Sequence, residues 1–308
     1  MVKVRVPATT ANMGPGFDTI GMALRLYNYL EMKESRQGLK IEALGQDAGY
    51  IPLDQRNVVY QAAKQVFKVV GYFPKGLSIR QTINIPTSRG MGSSASAIVG
   101  GLVAANQLVG NKLSKDKLLQ MAAKFEGHPD NVAPAMLGGI VVSANLDDQQ
   151  IYRRIDPPKD IDIVLAVPQF SLSTRVARDI LPEQVPINDA VFNVGRASLL
   201  VLALIEKDYD LLGQMMDDKL HQPYRLNLVP GMQDVFAAAK EQGALAVALS
   251  GAGPTVIAFV NNKNKIKVIG DSMKQAFSQA GVACSLQYLT ACPKGVEIQH
   301  KGEWTSCW

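Results

Sequence analysis

The chain has no GxxxxGK[ST] segment: its one Gly/Ser-rich loop continues past Gly92 without a lysine, so a Walker A grip on phosphate is excluded. The dinucleotide pattern GxGxxG fails too, because the position of its third glycine is Ala95. Cysteine is scarce. Cys284, Cys292 and Cys307 are odd in number and lack metal or redox spacing, which leaves buried or idle thiols in a reducing cytosol as the expectation. No signal peptide is apparent, since the N-terminus reads as a charged strand. The most apolar helix, around Leu199 to Ile205, reads as far too short to span a bilayer, so no membrane partner is expected. Charge of one sign is also lacking. The net +5 comes from scattered basic residues, and the densest group, NNKNKIKVIG, reads as a solvated helix start rather than a nucleic-acid surface. There is no internal repeat or low-complexity tract.

What the chain does have is the loop PTSRGMGSSASA, Pro86 to Ala97. Before it, Leu77, Ile79, Ile83 and Ile85 alternate along LSIRQTINI as in a half-buried strand, and after it AIVGGLVAANQLV reads as a helix. Gly90 and Gly92 permit a tight turn and close approach to an anion, while Ser93, Ser94 and Ser96 offer caps and hydroxyls at the helix start. Free amides at that helix N-terminus complete a phosphate site. A Gly/Ser turn that merely caps a helix satisfies the same residues.

Two further segments bear on that choice. VRVPATTANMGPGFDTIGMAL (Val4 to Leu24) leaves a strand for a Pro/Asn/Gly turn, and LSGAGPTVIAFV (Leu249 to Val260) places a glycine turn with Gly251 and Gly253 between two strands. In this order and spacing the three segments resemble the signature motifs of the superfamily of galactokinase, homoserine kinase, mevalonate kinase and phosphomevalonate kinase (GHMP), over nearly the whole chain. PATTANMGPGFDTIG, EGHPDNVAPAMLGG and STRVAR resemble the homoserine kinase branch.

The resemblance implies a two-domain α+β fold, with a ribosomal-S5-like N-terminal domain over residues 1–155 and a ferredoxin-like C-terminal domain over residues 156–308. The DPPKD stretch, Asp156 to Asp160, marks the boundary with two prolines and three charges. Strands are expected at Lys3 to Pro7, Leu24 to Lys33, Leu39 to Leu44 and Leu77 to Ile85. Val58, Ala62, Val66 and Val69 mark an amphipathic helix, and Ser114 caps another. Helices are also expected near Asn188 to Glu206, at Tyr209 to Met216, and before Gly243.

The implied activity is ATP-dependent phosphorylation of L-homoserine in threonine biosynthesis, by a cytoplasmic homodimer with Mg²⁺. The alternatives are a sibling kinase of another small alcohol, or a relative that binds without catalysis. By resemblance, Pro86, Thr87, Ser88, Arg89, Gly90, Met91, Gly92, Ser93, Ser94, Ala95 and Ser96 bind ATP, with Asn57 beside the base. Ser94 and Glu126 are the implied metal ligands, one hydroxyl and one carboxylate being suited to Mg²⁺ held by phosphates. Asp18 is assigned to the substrate ammonium and Arg178 and Arg225 to its carboxylate, with His128 and Thr174 completing the pocket. Asn12 and Asn131 are left to orient the hydroxyl, the alternative being turn residues whose side chains bond their own backbone. Asp130 stands where mevalonate-kinase-like relatives place a base, but resemblance to the homoserine kinase branch and its neighbours Asn131, Ala133 and Pro134 point to a structural carboxylate, with base catalysis left as the alternative.

Overall fold

The computed structural model describes residues 1–146 and 149–308. Strands β1 (Val2–Ala11), β2 (Ile20–Glu34), β3 (Gly38–Gly45), β4 (Gly76–Ile83), β5 (Ile140–Leu146) and β6 (Gln149–Ile155) form the first sheet. β2 is long because it forks: Ile20 to Met22 pair with β5, whereas Tyr29 to Glu34 pair with β4. At the fork, Asn28 Oδ1 accepts from the Asn84 and Ile85 amides (2.8 and 2.9 Å) and its Nδ2 donates to Ser96 Oγ (2.8 Å). β4 therefore ends at Ile83, two residues short of the apolar alternation, and the chain turns into the Gly/Ser loop.

Helices α1 (Val58–Val70), α2 (Ser93–Leu108), α3 (Lys115–Glu126) and α4 (Pro129–Leu137) pack on the first sheet, joining Val66, Leu102, Leu118 and Val132 to Val6, Leu30 and Ile79 in one core. α2 is apolar and buried around most of its circumference, as a central helix must be. The buried stripe of α1 is Val59, Ala62, Ala63, Val66 and Phe67. Val69, expected on that face, points to solvent, because the stripe ends at Phe67. Ser114 caps α3 as expected, accepting from the Lys117 amide. α4 was not anticipated as a helix, although Pro129 suits its first turn, where a missing amide costs nothing.

The second sheet runs β10 (Cys284–Thr290), β7 (Asp162–Pro168), β9 (Val256–Val260), β8 (Ala246–Leu249), antiparallel throughout. Counted within this unit the order is fourth, first, third, second, with helices in both crossovers: the ferredoxin-like arrangement expected. The first crossover carries α5 (Thr174–Asp179), α6 (Ile187–Glu206), α7 (Tyr209–Gln214), α8 (Gln222–Arg225) and α9 (Met232–Glu241), and the second carries α10 (Ile266–Gln279). α9 and α10 cover one face through Val235, Ile269 and Phe277. The other face meets the first sheet in a shared core of Met22, Ile140, Leu165 and Phe259.

Two expectations change. The boundary near Asp156 falls between β6 and β7, but the second unit does not run unbroken to residue 308: β11 (Glu297–His300) and β12 (Glu303–Ser306) return to β1. There the buried Glu297 carboxylate pairs with Arg5 at 2.7 Å, closing an edge that β1 would otherwise leave open. The apolar helix around Leu199 is also longer than expected. α6 has 20 residues and is long and apolar enough to cross a membrane, because its apolar character extends back to Ile187. It packs Asn193, Leu200, Ala203 and Leu204 inward.

Candidate active site

The Gly/Ser loop lies where three distant segments meet. Gly90 and Gly92 both have left-handed φ (74° and 70°). A Cβ on Gly90 would strike the carbonyl of Ser250 in the third motif, and one on Gly92 would strike the Thr9 hydroxyl in the first. These glycines therefore serve packing between motifs as well as turning. Gly92 is also the N-cap of α2 and no side chain caps the helix, contrary to the expectation for the serines. The first-turn amides of α2 are thus left for an anion.

Two cavities open on opposite sides of this loop and share Ser88, Arg89, Ser93 and Ser94. The larger, about 270 Å³, is lined by Tyr50, Ile51, Pro52, Asn57, Val58 and Thr87, over a floor of β-sheet residues. The smaller, about 120 Å³, gathers Asn12, Asp18, Glu126, His128, Asp130, Asn131, Thr174, Arg178, Arg225 and Gly251. Every acceptor-side residue expected from sequence is in it.

It sets carboxylates against guanidinium groups. Arg178 on α5 makes a fork to Asp18 (2.7 and 2.9 Å), and Asp18 holds a left-handed φ of 57° because Asn12 Oδ1 accepts from its amide at 3.1 Å. His128 Nδ1 bonds Asp130 Oδ1, and Asp18, His128 and Asp130 can bring one ligand atom each within 4.8 Å of the others. Ser94 Oγ donates to Glu126 Oε2 at 3.1 Å, so the two expected metal ligands meet. Burial pushes the Glu126 carboxyl above its ordinary range, against the opposing effects of His128 and the Ser94 hydrogen bond.

Burial works against a charged His128, yet the Asp130 hydrogen bond and charge outweigh it and raise the imidazole pKa. A group raised on folding stabilises fully below its unfolded pKa, about 6.5, and loses that contribution as pH rises through the folded value. His128→Gln should therefore cost more stability at pH 6 than at pH 9, read from urea midpoints. An equal cost at both pH values would show that no protonated pair is present.

Several expected ligands are used differently. Asn12 Nδ2 donates to Gly251 O at 2.9 Å, tying the first motif to the third rather than standing free to orient a hydroxyl. Asn131 Oδ1 accepts from Thr9 at 2.7 Å. The Arg89 guanidinium is spent on Pro168 O, Gln169 O, Thr87 O and Asp47, so it braces the loop against β7 instead of facing phosphate. Met91 and Ala95 bury their side chains and are left with backbone roles, whereas Ser96 is committed through both its hydroxyl, between Asn28 and Ser93 O, and its amide, which donates to Gly92 O. Asn57 caps α1 and lines the larger cavity.

Arg225 is 2% exposed, donating to Ala177 O (3.0 Å), Gly251 O (3.2 Å) and His221 Nδ1 (3.0 Å). Burial, with Arg178 nearby, pushes its pKa down to about 10, which still leaves it charged at neutral pH. His221 was missed by sequence reasoning: its Nε2 reaches Gly14 O at 2.8 Å, 207 positions away, and no local pattern announces that. Phe17 stacks on His221 and lies beside both arginines. Asp47 was missed as well, although it receives the Thr87 amide and hydroxyl.

The family "GHMP kinases N terminal domain" matches residues 57–139 and "GHMP kinases C terminal" matches residues 200–279. A homoserine kinase of Moorella thermoacetica is 50% identical over 298 residues, covering 97% of this chain and 100% of the relative. The chain belongs to the homoserine kinase family. The homoserine kinase of Carboxydothermus hydrogenoformans is 46% identical over 305 residues, 98% of this chain and 99% of that one. In three dimensions the homoserine kinase of Cytophaga hutchinsonii superposes with a TM-score of 0.88 at 32% identity, covering 97% of each chain. L. major mevalonate kinase, at 18% identity and a TM-score of 0.73 over 95% of this chain and 96% of that one, shares the fold. These likenesses agree with the branch that PATTAN and GFD indicated.

Proposed function

We propose that the protein transfers the γ-phosphoryl group of ATP to the hydroxyl of L-homoserine, giving O-phospho-L-homoserine and ADP on the route to threonine. The observation that carries the reading is the pair of cavities joined across the α2 N-terminus, a larger one for the nucleotide and a smaller, charge-lined one for the acceptor. Phosphoryl transfer is mainly positioning and charge stabilisation, which a shared wall of amides and serine hydroxyls supplies. The Asp18–Arg178 pair suits an amino-acid acceptor. An incoming ammonium takes Asp18 and its carboxylate takes Arg178 and Arg225, so one internal ion pair is exchanged for two across the ligand.

Ser94 and Glu126 are the residues that would hold Mg²⁺; a half-buried carboxylate beside a hydroxyl, without a salt bridge among the described residues, is a donor set of suitable hardness. Bound with the nucleotide, the metal supplies neutralisation of phosphate charge. Asp130, buried against His128 and Asn131, acts as a structural carboxylate. The homodimer expected for the family has support in the outer face of α6, where Ile187, Val191 and Val194 are exposed. A cytoplasmic location has support in three unpaired cysteines.

A coupled ADP-release assay with L-homoserine, mevalonate, shikimate and galactose tests the reading. Homoserine should be turned over far better than the three acceptors that are not amino acids. Preference for mevalonate would point instead to a sibling kinase, and no ADP release with any acceptor to a binding protein.

A further inference from the structure

The inward row of β4 reads Leu77, Ile79, Gln81, Ile83, so one carboxamide interrupts an otherwise aliphatic face. Gln81 is 4% exposed, yet its Nε2 has no hydrogen-bond partner among the described residues. A buried amide without partners is costly, and native structures rarely keep one without a reason. Gln81 also lines the larger cavity, among Val6, Leu30, Val58, Val59 and Ile83.

The two other carboxamides of that cavity are committed. Asn28 holds the exit of β4 and the Ser96 hydroxyl. Asn57 caps α1 through Oδ1 and donates to Pro52 O through Nδ2. Gln81 is thus the carboxamide with hydrogen-bonding capacity to spare, set among aliphatic side chains that suit the faces of a flat ring. A glutamine amide matches the adjacent amino donor and ring-nitrogen acceptor on an adenine edge, and rotation about χ3 exchanges its two ends.

We propose that Gln81 reads the nucleobase of the phosphoryl donor, pairing its carboxamide with the amino and ring-nitrogen edge of adenine. This rests on the reading that ATP enters the larger cavity. Loss of the partnerless amide in the empty protein then carries no stability cost, whereas its loss in the nucleotide complex removes base recognition.

The test compares wild type with Gln81→Leu, and with the unbranched Gln81→Met should leucine disturb packing, using ATP and purine riboside triphosphate, which lacks the 6-amino group. Wild type should show a KM for ATP about tenfold below that for the analogue. Either variant should raise the ATP KM by about that factor, abolish the discrimination, leave the homoserine KM within about twofold, and not lower the thermal midpoint. An unchanged ATP KM, or discrimination that survives the substitution, overturns the proposal while leaving the kinase reading intact. A wild type that uses neither nucleotide overturns both.

Discussion

Glu126→Gln should lower kcat by at least about a hundredfold, a barrier increase of roughly 2.7 kcal/mol, while the folded protein survives. The substitution keeps the size of the side chain and its contact with Ser94 but removes the negative charge. Because burial already raises the pKa of this carboxyl, the free protein holds the charge at some cost, and the amide should leave the thermal midpoint unchanged or slightly higher. ATP-dependent turnover should respond to Mg²⁺ only at much higher concentration. Activity within about twofold of wild type, under roughly 0.5 kcal/mol in barrier, would show that Glu126 is not a metal ligand.

Arg225→Ala should do damage of a different kind from Arg178→Ala. Arg178 is about a third exposed and its pairing with Asp18 is screened, so alanine there should cost under about 1 kcal/mol of stability. The homoserine KM should nevertheless rise about tenfold or more, because a forked hydrogen bond to the substrate carboxylate is lost. Arg225 is buried, and truncation strands Ala177 O and His221 Nδ1 in the interior, while Gly251 O keeps its bond from Asn12. A loss of roughly 3 kcal/mol is expected from unfolding curves, together with weaker homoserine binding. The ATP KM should stay nearly fixed in both variants. Equal effects on ATP and homoserine would mean that the arginines serve the nucleotide.

The sequence made the phosphate loop legible because strand, glycines and apolar helix are contiguous, and the period of each element survives in the structure. The acceptor residues were legible only through resemblance, since Asp18, Glu126, Arg178 and Arg225 lie far apart in the chain. What stayed hidden has one physical origin. Asp47, His221 and Phe17 act through contacts whose partners are fixed only when both sheets have packed, and the tie from Asn12, expected to orient the hydroxyl, to Gly251 O is a contact of the same kind. Gln81 is the exception: a glutamine in an alternating aliphatic row is visible without any structure.

The return of β11 and β12 to β1 bears on the order in which the protein can be made. During synthesis the outer edge of β1 at Val4 and Arg5 has no strand partner until residues 297–300 have emerged, so the first sheet is completed only after the second has its strands. Until then an open strand edge is available to neighbouring nascent chains. Chains interrupted after β10 would carry every group of the candidate pocket and still leave that edge uncapped, with the Arg5 guanidinium deprived of Glu297. The groups of the candidate pocket thus all precede, in order of synthesis, the strands that close the edge of the first sheet.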